Sequence, residues 1–213
     1  MGCASAPVPA TTVAPPTPTP TPVVETVPVP RTVVVGAVGL TVLDADGGVL
    51  GEVSYMEPAT TAVALLTTAF EADPVISHLE SDYNCSPAAT LAVWDGYFTL
   101  TYDIEGRMPA GQTSYARAVA PAAPNGVGLS TPSGFGVGDP VDALISSQPG
   151  VDAPAMEIEG TAYAWVHYEV GAGVYLPDND PNWGRDPYWG ASASAVDGVI
   201  TALHAPVTFV DQC

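Results

Sequence analysis

Lysine is absent. The four basic side chains are all arginine (Arg31, Arg107, Arg117 and Arg185), set against 23 aspartates and glutamates, and the formal net charge is −19. So little positive charge excludes nucleic-acid binding and electrostatic adhesion to anionic lipid, because phosphates and headgroups are repelled. It also removes lysine as a Schiff-base former or general base. The acidity serves solubility, or it serves a basic or calcium-bearing partner. Long apolar runs are missing too. No stretch reaches the 18 residues that a spanning helix needs, and the first residues show neither a basic start nor an apolar signal core.

Catalytic spacings are equally scarce. His78, His167 and His204 are isolated from one another, with no His-x-His or His-x-x-x-His pair. No Cys-x-x-Cys pair exists, which argues against thiol redox chemistry and structural zinc. There is no Gly-x-Ser-x-Gly elbow, Walker loop or dinucleotide fingerprint; "GFGVG" has the wrong spacing. Whether the chain is an enzyme stays open on these grounds, with the balance leaning against it.

What the sequence does have begins at Cys3. After it comes "ASAPVPATTVAPPTPTPTPVVETVPVP", with nine prolines and Glu25 as its one charge. Proline fixes φ and removes the backbone donor, so neither helix nor sheet runs through such a segment. Residues 1–31 are expected to form a disordered, extended Pro/Thr-rich tether, reaching about 80 Å at roughly 3.1 Å per residue. Cys3 within "GC" is the expected lipid anchor, with a signal segment removed just before it. N-myristoylation fits less well, because position 6 is Ala6 rather than Ser or Thr. Cys85 and Cys213 are expected to form a disulfide. Closing so long a loop is worth about 4–5 kcal/mol and implies an oxidising, exported location.

Residues 32–213 are expected to form one globular α+β domain. "VGLTVLD" and "VLGEVSY" read as a hairpin around the Asp46-Gly47 turn signal. "EPATTAVALLTTAF" reads as a helix with Val63, Leu66, Ala69 and Phe70 on one face. A loop through Pro74 and Cys85 leads to a second hairpin, "TLAVWDGYFTLTYD", turning at Asp95-Gly96. The second half echoes the first, with a short helix capped by Asp139 and started by Pro140. Its apolar face is Val141, Leu144 and Ile145. "TAYAWVHYEVG" and "GVITALHAPVTFV" supply further strands. The expectation is two related strand-strand-helix-strand-strand halves, 32–105 and 125–213, with antiparallel sheets. On "TAYAWVHYEVG", alternation puts Tyr163, Trp165 and His167 on one face and Tyr168 on the other.

The "GC" start, the Thr/Pro tether and the acidic, lysine-free domain together resemble exported lipoproteins of high-GC Gram-positive bacteria. Gly134 to Gly150, "GFGVGDPVDALISSQPG", also resembles the turn-helix element of β-lactamase-inhibitor-like and outer-membrane-assembly lipoprotein domains. The resemblance implies a protein-binding scaffold with helices on one face of a sheet, held on the outer face of the bacterial cytoplasmic membrane by its lipid alone.

The most chemically pointed segment is "LPDNDPNWGRDPYWG". Asp178, Asp180, Asn182 and Asp186 carry hard oxygens at spacings that suit calcium, although Trp183 and Trp189 replace the Gly and Glu of an EF-hand. Tyr175, Trp183, Tyr188 and Trp189 form an aromatic loop suited to protein or sugar-ring recognition. Three functions follow. The leading one is a surface-anchored, non-enzymatic module that binds a protein or cell-wall component without a cofactor. The second is a secreted carbohydrate-active or other hydrolase using carboxylates such as Asp178, Asp186 or Glu169. The third is a calcium-dependent structural module.

Overall fold

The structure, a computed structural model, describes residues 28–81, 88–104, 114–148, 153–169 and 189–208. Three strands come first: β1 (Thr32–Val35), β2 (Gly39–Leu43) and β3 (Val49–Ser54). Their period-2 alternation turns Val33, Val35, Leu40, Val42 and Val53 into the core. The β2–β3 connection is not the tight Asp46-Gly47 turn expected. It spans 44–48, and Asp44 organises it, its Oδ1 accepting the N–H groups of Asp46 (2.9 Å) and Gly48 (2.7 Å). A short carboxylate can close a turn on its own backbone in this way. A register shift between Val42 and Leu43 absorbs the irregularity.

Helix α1 (Ala59–Phe70) follows, with Ala62, Leu66, Ala69 and Phe70 buried. It lies over β2 and β3. A Cβ at Gly51 would sit 2.6 Å from Leu65 Cδ1, so glycine there lets the helix approach. Four strands come next: β4 (Val75–Leu79), β5 (Ala89–Trp94), β6 (Phe98–Tyr102) and β7 (Ser114–Ala118). Strand β4 occupies the stretch expected to be loop, and β7 was not expected at all. The residues of β4 are all exposed, so no buried alternation marks it. In β7 the inward residues are only Ser114, Ala116 and Ala118, the last flanked in register by the larger Phe98 and Leu203.

The remaining elements are β8 (Gly128–Ser130), α2 (Val141–Ser147), β9 (Ala155–Ile158), β10 (Thr161–Tyr168), β11 (Trp189–Val196) and β12 (Val199–Thr208). Asp139 does not cap α2. Its Oδ2 accepts the Gly136 N–H (2.7 Å), and its carbonyl accepts the Ile200 N–H (2.9 Å). Pro140 takes the cap position without a side-chain bond, and the Val141 N–H goes to Gly198 O instead. The helix start is thus stitched to the β11–β12 turn.

The strands form two sheets, a four-stranded one in the order β3-β2-β1-β8 and an eight-stranded one in the order β4-β5-β6-β7-β12-β11-β10-β9. The fold is α+β. The larger sheet is antiparallel throughout, but β1 and β8 run parallel, so the smaller sheet is mixed rather than antiparallel as expected. Three hairpins of the larger sheet turn on Asp95-Gly96, Glu159-Gly160 and Asp197-Gly198, each with both φ angles positive. That is the type I′ geometry, whose twist matches that of the paired strands.

Buried residues of both sheets and both helices join in one cluster. Phe70 sits at its centre, edge-on to Trp94 (centroids 5.7 Å apart) and Tyr97 (5.2 Å) and tilted against Phe98 (5.6 Å). The Trp94 Nε1–H donates to Ala72 O (2.9 Å), which satisfies the one polar atom of that buried ring. The Tyr168 hydroxyl donates to Val35 O (3.0 Å), tying β10 to β1.

Candidate functional site

Two neighbouring rows of the larger sheet have opposite chemistry. In register, Trp94, Phe98, Ala118, Leu203, Ala193 and Val166 form a row across six strands, and all are buried. One residue away on each strand runs the row Val93, Thr99, Arg117, His204, Ser192 and His167, which starts from Val75 at the edge. Successive residues of a strand point to opposite faces, so this second row lies on the outer side, away from the core. Trp165 and Ser194 pair on the same side, as do Tyr115 and Thr101.

Among the described residues this outer face contains no carboxylate. The strands of the larger sheet hold a single acidic residue, Glu157, and its register partner Ala162 alternates with Tyr163, placing Glu157 on the other side. The acids gather instead at the turns. Every non-glycine residue with positive φ among the described residues is acidic: Glu71, Asp95, Asp103, Glu159, Glu169 and Asp197. Among the described residues this side of the sheet is therefore neutral, built of aromatic rings, hydroxyls and imidazoles with Arg117 as its one cation.

Exposure grades across it. Arg117 and Tyr115 are exposed, Tyr163, Trp165, His167 and His204 are half-buried, and Ser192 is buried. His204 Nε2 lies 3.2 Å from Ser194 Oγ. Burial, and then the adjacent Arg117 guanidinium, lower the His204 pKa to about 4, so the ring is neutral at pH 7. A Ser–His contact would need an acid to orient the imidazole for nucleophilic catalysis. Among the described residues this face supplies none.

Alternation places Tyr163, Trp165 and His167 together and turns Tyr168 into the core. Trp189 opens β11, paired with Thr208. The other residues singled out from the sequence, Cys3, Cys85, Cys213, Tyr175, Trp183, Tyr188, Asp178, Asp180, Asn182 and Asp186, lie outside the described residues. Among the described residues no three His, Cys, Asp or Glu side chains group as metal ligands. Glu169 is held by the fold: its Oε2 accepts the Ala37 N–H (2.7 Å), bridging the end of β10 to the β1–β2 turn. Its charge also helps raise the Tyr168 pKa, after burial. Arg117, Tyr115, Ser192, Ser194 and His204 were not expected at a site. Their signal was the alternation in "SYARA", "SASAV" and "TALHAPV", readable only once those stretches are known to be strands.

No protein-family model, no curated protein and no solved structure matches this chain.

Proposed function

We propose that this chain is a surface-anchored, non-enzymatic binding module whose recognition surface is the outer face of the eight-stranded sheet. One observation carries the reading: on a molecule of net charge −19, the described residues of that face are aromatic rings, hydroxyls, imidazoles and Arg117, with no carboxylate among them. Keeping acid off a whole sheet face removes repulsion toward a neutral or anionic ligand. Flat rings beside hydroxyls suit sugar rings, so the ligand class is a cell-wall glycan, with a protein as the rival occupant. The anchor is Cys3, the Pro/Thr-rich run to residue 31 is the spacer, and the location is extracellular, at the outer face of the cytoplasmic membrane.

Two further parts of the reading have support. Leu79, Ala89 and Thr208 end their strands at the same end of the larger sheet. Three strand spacings, about 14 Å, separate Ala89 from Thr208. The nine residue steps that lead from these positions to Cys85 and Cys213 span up to about 30 Å, so a Cys85–Cys213 disulfide is within reach. The strand-strand-helix-strand-strand halves do not match the element order, with three strands before α1, one before α2 and four after each; what favours a coarser repeat is that each helix precedes a four-stranded antiparallel run, β4–β7 and β9–β12, the two meeting at β7 and β12.

Co-sedimentation with purified, protein-free cell walls tests the function. The wild type should pellet with the walls. Trp165→Ala and Arg117→Gln should each weaken this about tenfold while leaving the melting temperature within a few degrees. A wild type that stays in the supernatant, or variants that bind as well as it does, would sink the glycan reading.

A further inference from the structure

The two sheets end in four edge strands, and three of them are blunted. Strand β9 carries Glu157, β3 carries Glu52, and β8 is three residues long with isolated bridges from Ala122 and Gly136 beside it. These are the usual devices that stop an edge from recruiting another strand. Strand β4, Val-Ile-Ser-His-Leu, has none of them: no charge, no proline and no bulge. Among the described residues it pairs with β5 alone, on one side. All five residues are exposed, Val75 at 70%, Ile76 at 48% and Leu79 at 46%. His78 is turned back onto β5, its Nδ1 3.1 Å from Thr90 Oγ1.

The ends of this edge are acidic. Glu71 and Asp73 precede it, and Asp95 follows Val93, the partner of Val75, by two residues. At the other end Glu80 follows Leu79, and Asp103 follows Tyr102, which is in register with Thr90 and His78. A second copy pairing antiparallel along β4 would set Asp73 against Glu80, like charge on like charge.

We propose that β4 is a docking edge for an extended segment of another protein, with an apolar alternating centre and basic residues at both ends. Main-chain hydrogen bonds to the free side of β4 would hold the segment. Val75, Ile76 and Leu79 would cover its apolar residues, and the acidic ends would select the partner by charge. The β4 edge adjoins the outer face of the sheet through Val75 but lies six strands from Trp165 in the sheet order, so the substitution at each end tests its own site.

The probe is a fluorescein-labelled nine-residue peptide with an alternating valine–threonine centre and two arginines at each end. The comparison peptide keeps the centre and carries glutamates at the ends. With the full chain at low salt, the basic peptide should bind about tenfold or more tighter, and added salt should erase the difference. Backbone amide shifts on titration should concentrate in residues 75–79. Ile76→Lys, which supplies the missing edge charge, should abolish binding with Trp165→Ala unaffected. Equal binding of both peptides, amide shifts elsewhere, or a folded Ile76→Lys chain that binds like wild type would each overturn the proposal. So would sedimentation showing a dimer that Ile76→Lys dissolves, because β4 would then be occupied by a second copy. If Ile76→Lys fails to fold, the amide-shift map on the wild type decides.

Discussion

His204 illustrates how a single position couples to pH. The fold resists its protonation, with a pKa of about 4, while the unfolded chain accepts a proton near 6.5. Above pH 6.5 neither state carries that proton and stability is unaffected. As pH falls from 6.5 toward 4, the unfolded state gains the proton first and stability is lost; below 4 the loss is complete. The difference amounts to at most about 3 kcal/mol. His204→Gln should therefore lose less stability than wild type between pH 7 and pH 4.5, as read by urea unfolding at both. Arg117→Gln should move the His204 titration upward in an NMR experiment, because the guanidinium is the second cause of the lowered value. Tyr168 is a residue of another kind. Its hydroxyl satisfies Val35 O inside the core, and Tyr168→Phe should cost about 1–2 kcal/mol by leaving that carbonyl unpaired.

Among the elements, the hairpins and α1 differ in what limits them. The Glu159-Gly160 turn needs positive φ at both positions, with Glu159 at φ 52. Glutamate is poorly suited to that region and asparagine tolerates it, so Glu159→Asn should stabilise by about 0.5–1 kcal/mol in chemical denaturation. The helix depends on its final residue. Phe70 is the ring that Trp94, Tyr97 and Phe98 all touch, and Phe70→Ala should cost about 3–5 kcal/mol. The same substitution at exposed Val75 should change little, because no core residue loses a contact there.

For the molecule as a whole, electrostatics set the working conditions. A net charge of −19 works against the compact state, and salt screens it. The melting temperature should rise as sodium chloride increases from 10 mM to 300 mM, and a flat response would contradict this. Acidification relieves the same repulsion, so the His204 effect is to be read as the difference between variant and wild type. Glu71, Asp95, Asp103, Glu159, Glu169 and Asp197 are tolerated because they sit at turns and element ends.

The sequence alone determined which residues alternate and where strong turn chemistry falls. "TAYAWVHY" declares a strand, Asp95-Gly96 declares a hairpin, and the Leu66, Ala69 and Phe70 spacing declares a helix, because each signal is local and repeats at its own period. The absence of lysine likewise fixed what the chain repels. Only the tertiary structure decided that Ser-Tyr-Ala-Arg-Ala is a central strand. Its inward Ala118 is flanked in register by Phe98 and Leu203, neighbours distant in sequence. It alone decided that Asp139 serves a backbone turn rather than a helix cap. It alone aligned Arg117, His204, Ser192 and His167 across four strands, since register is set by pairing and leaves no local mark.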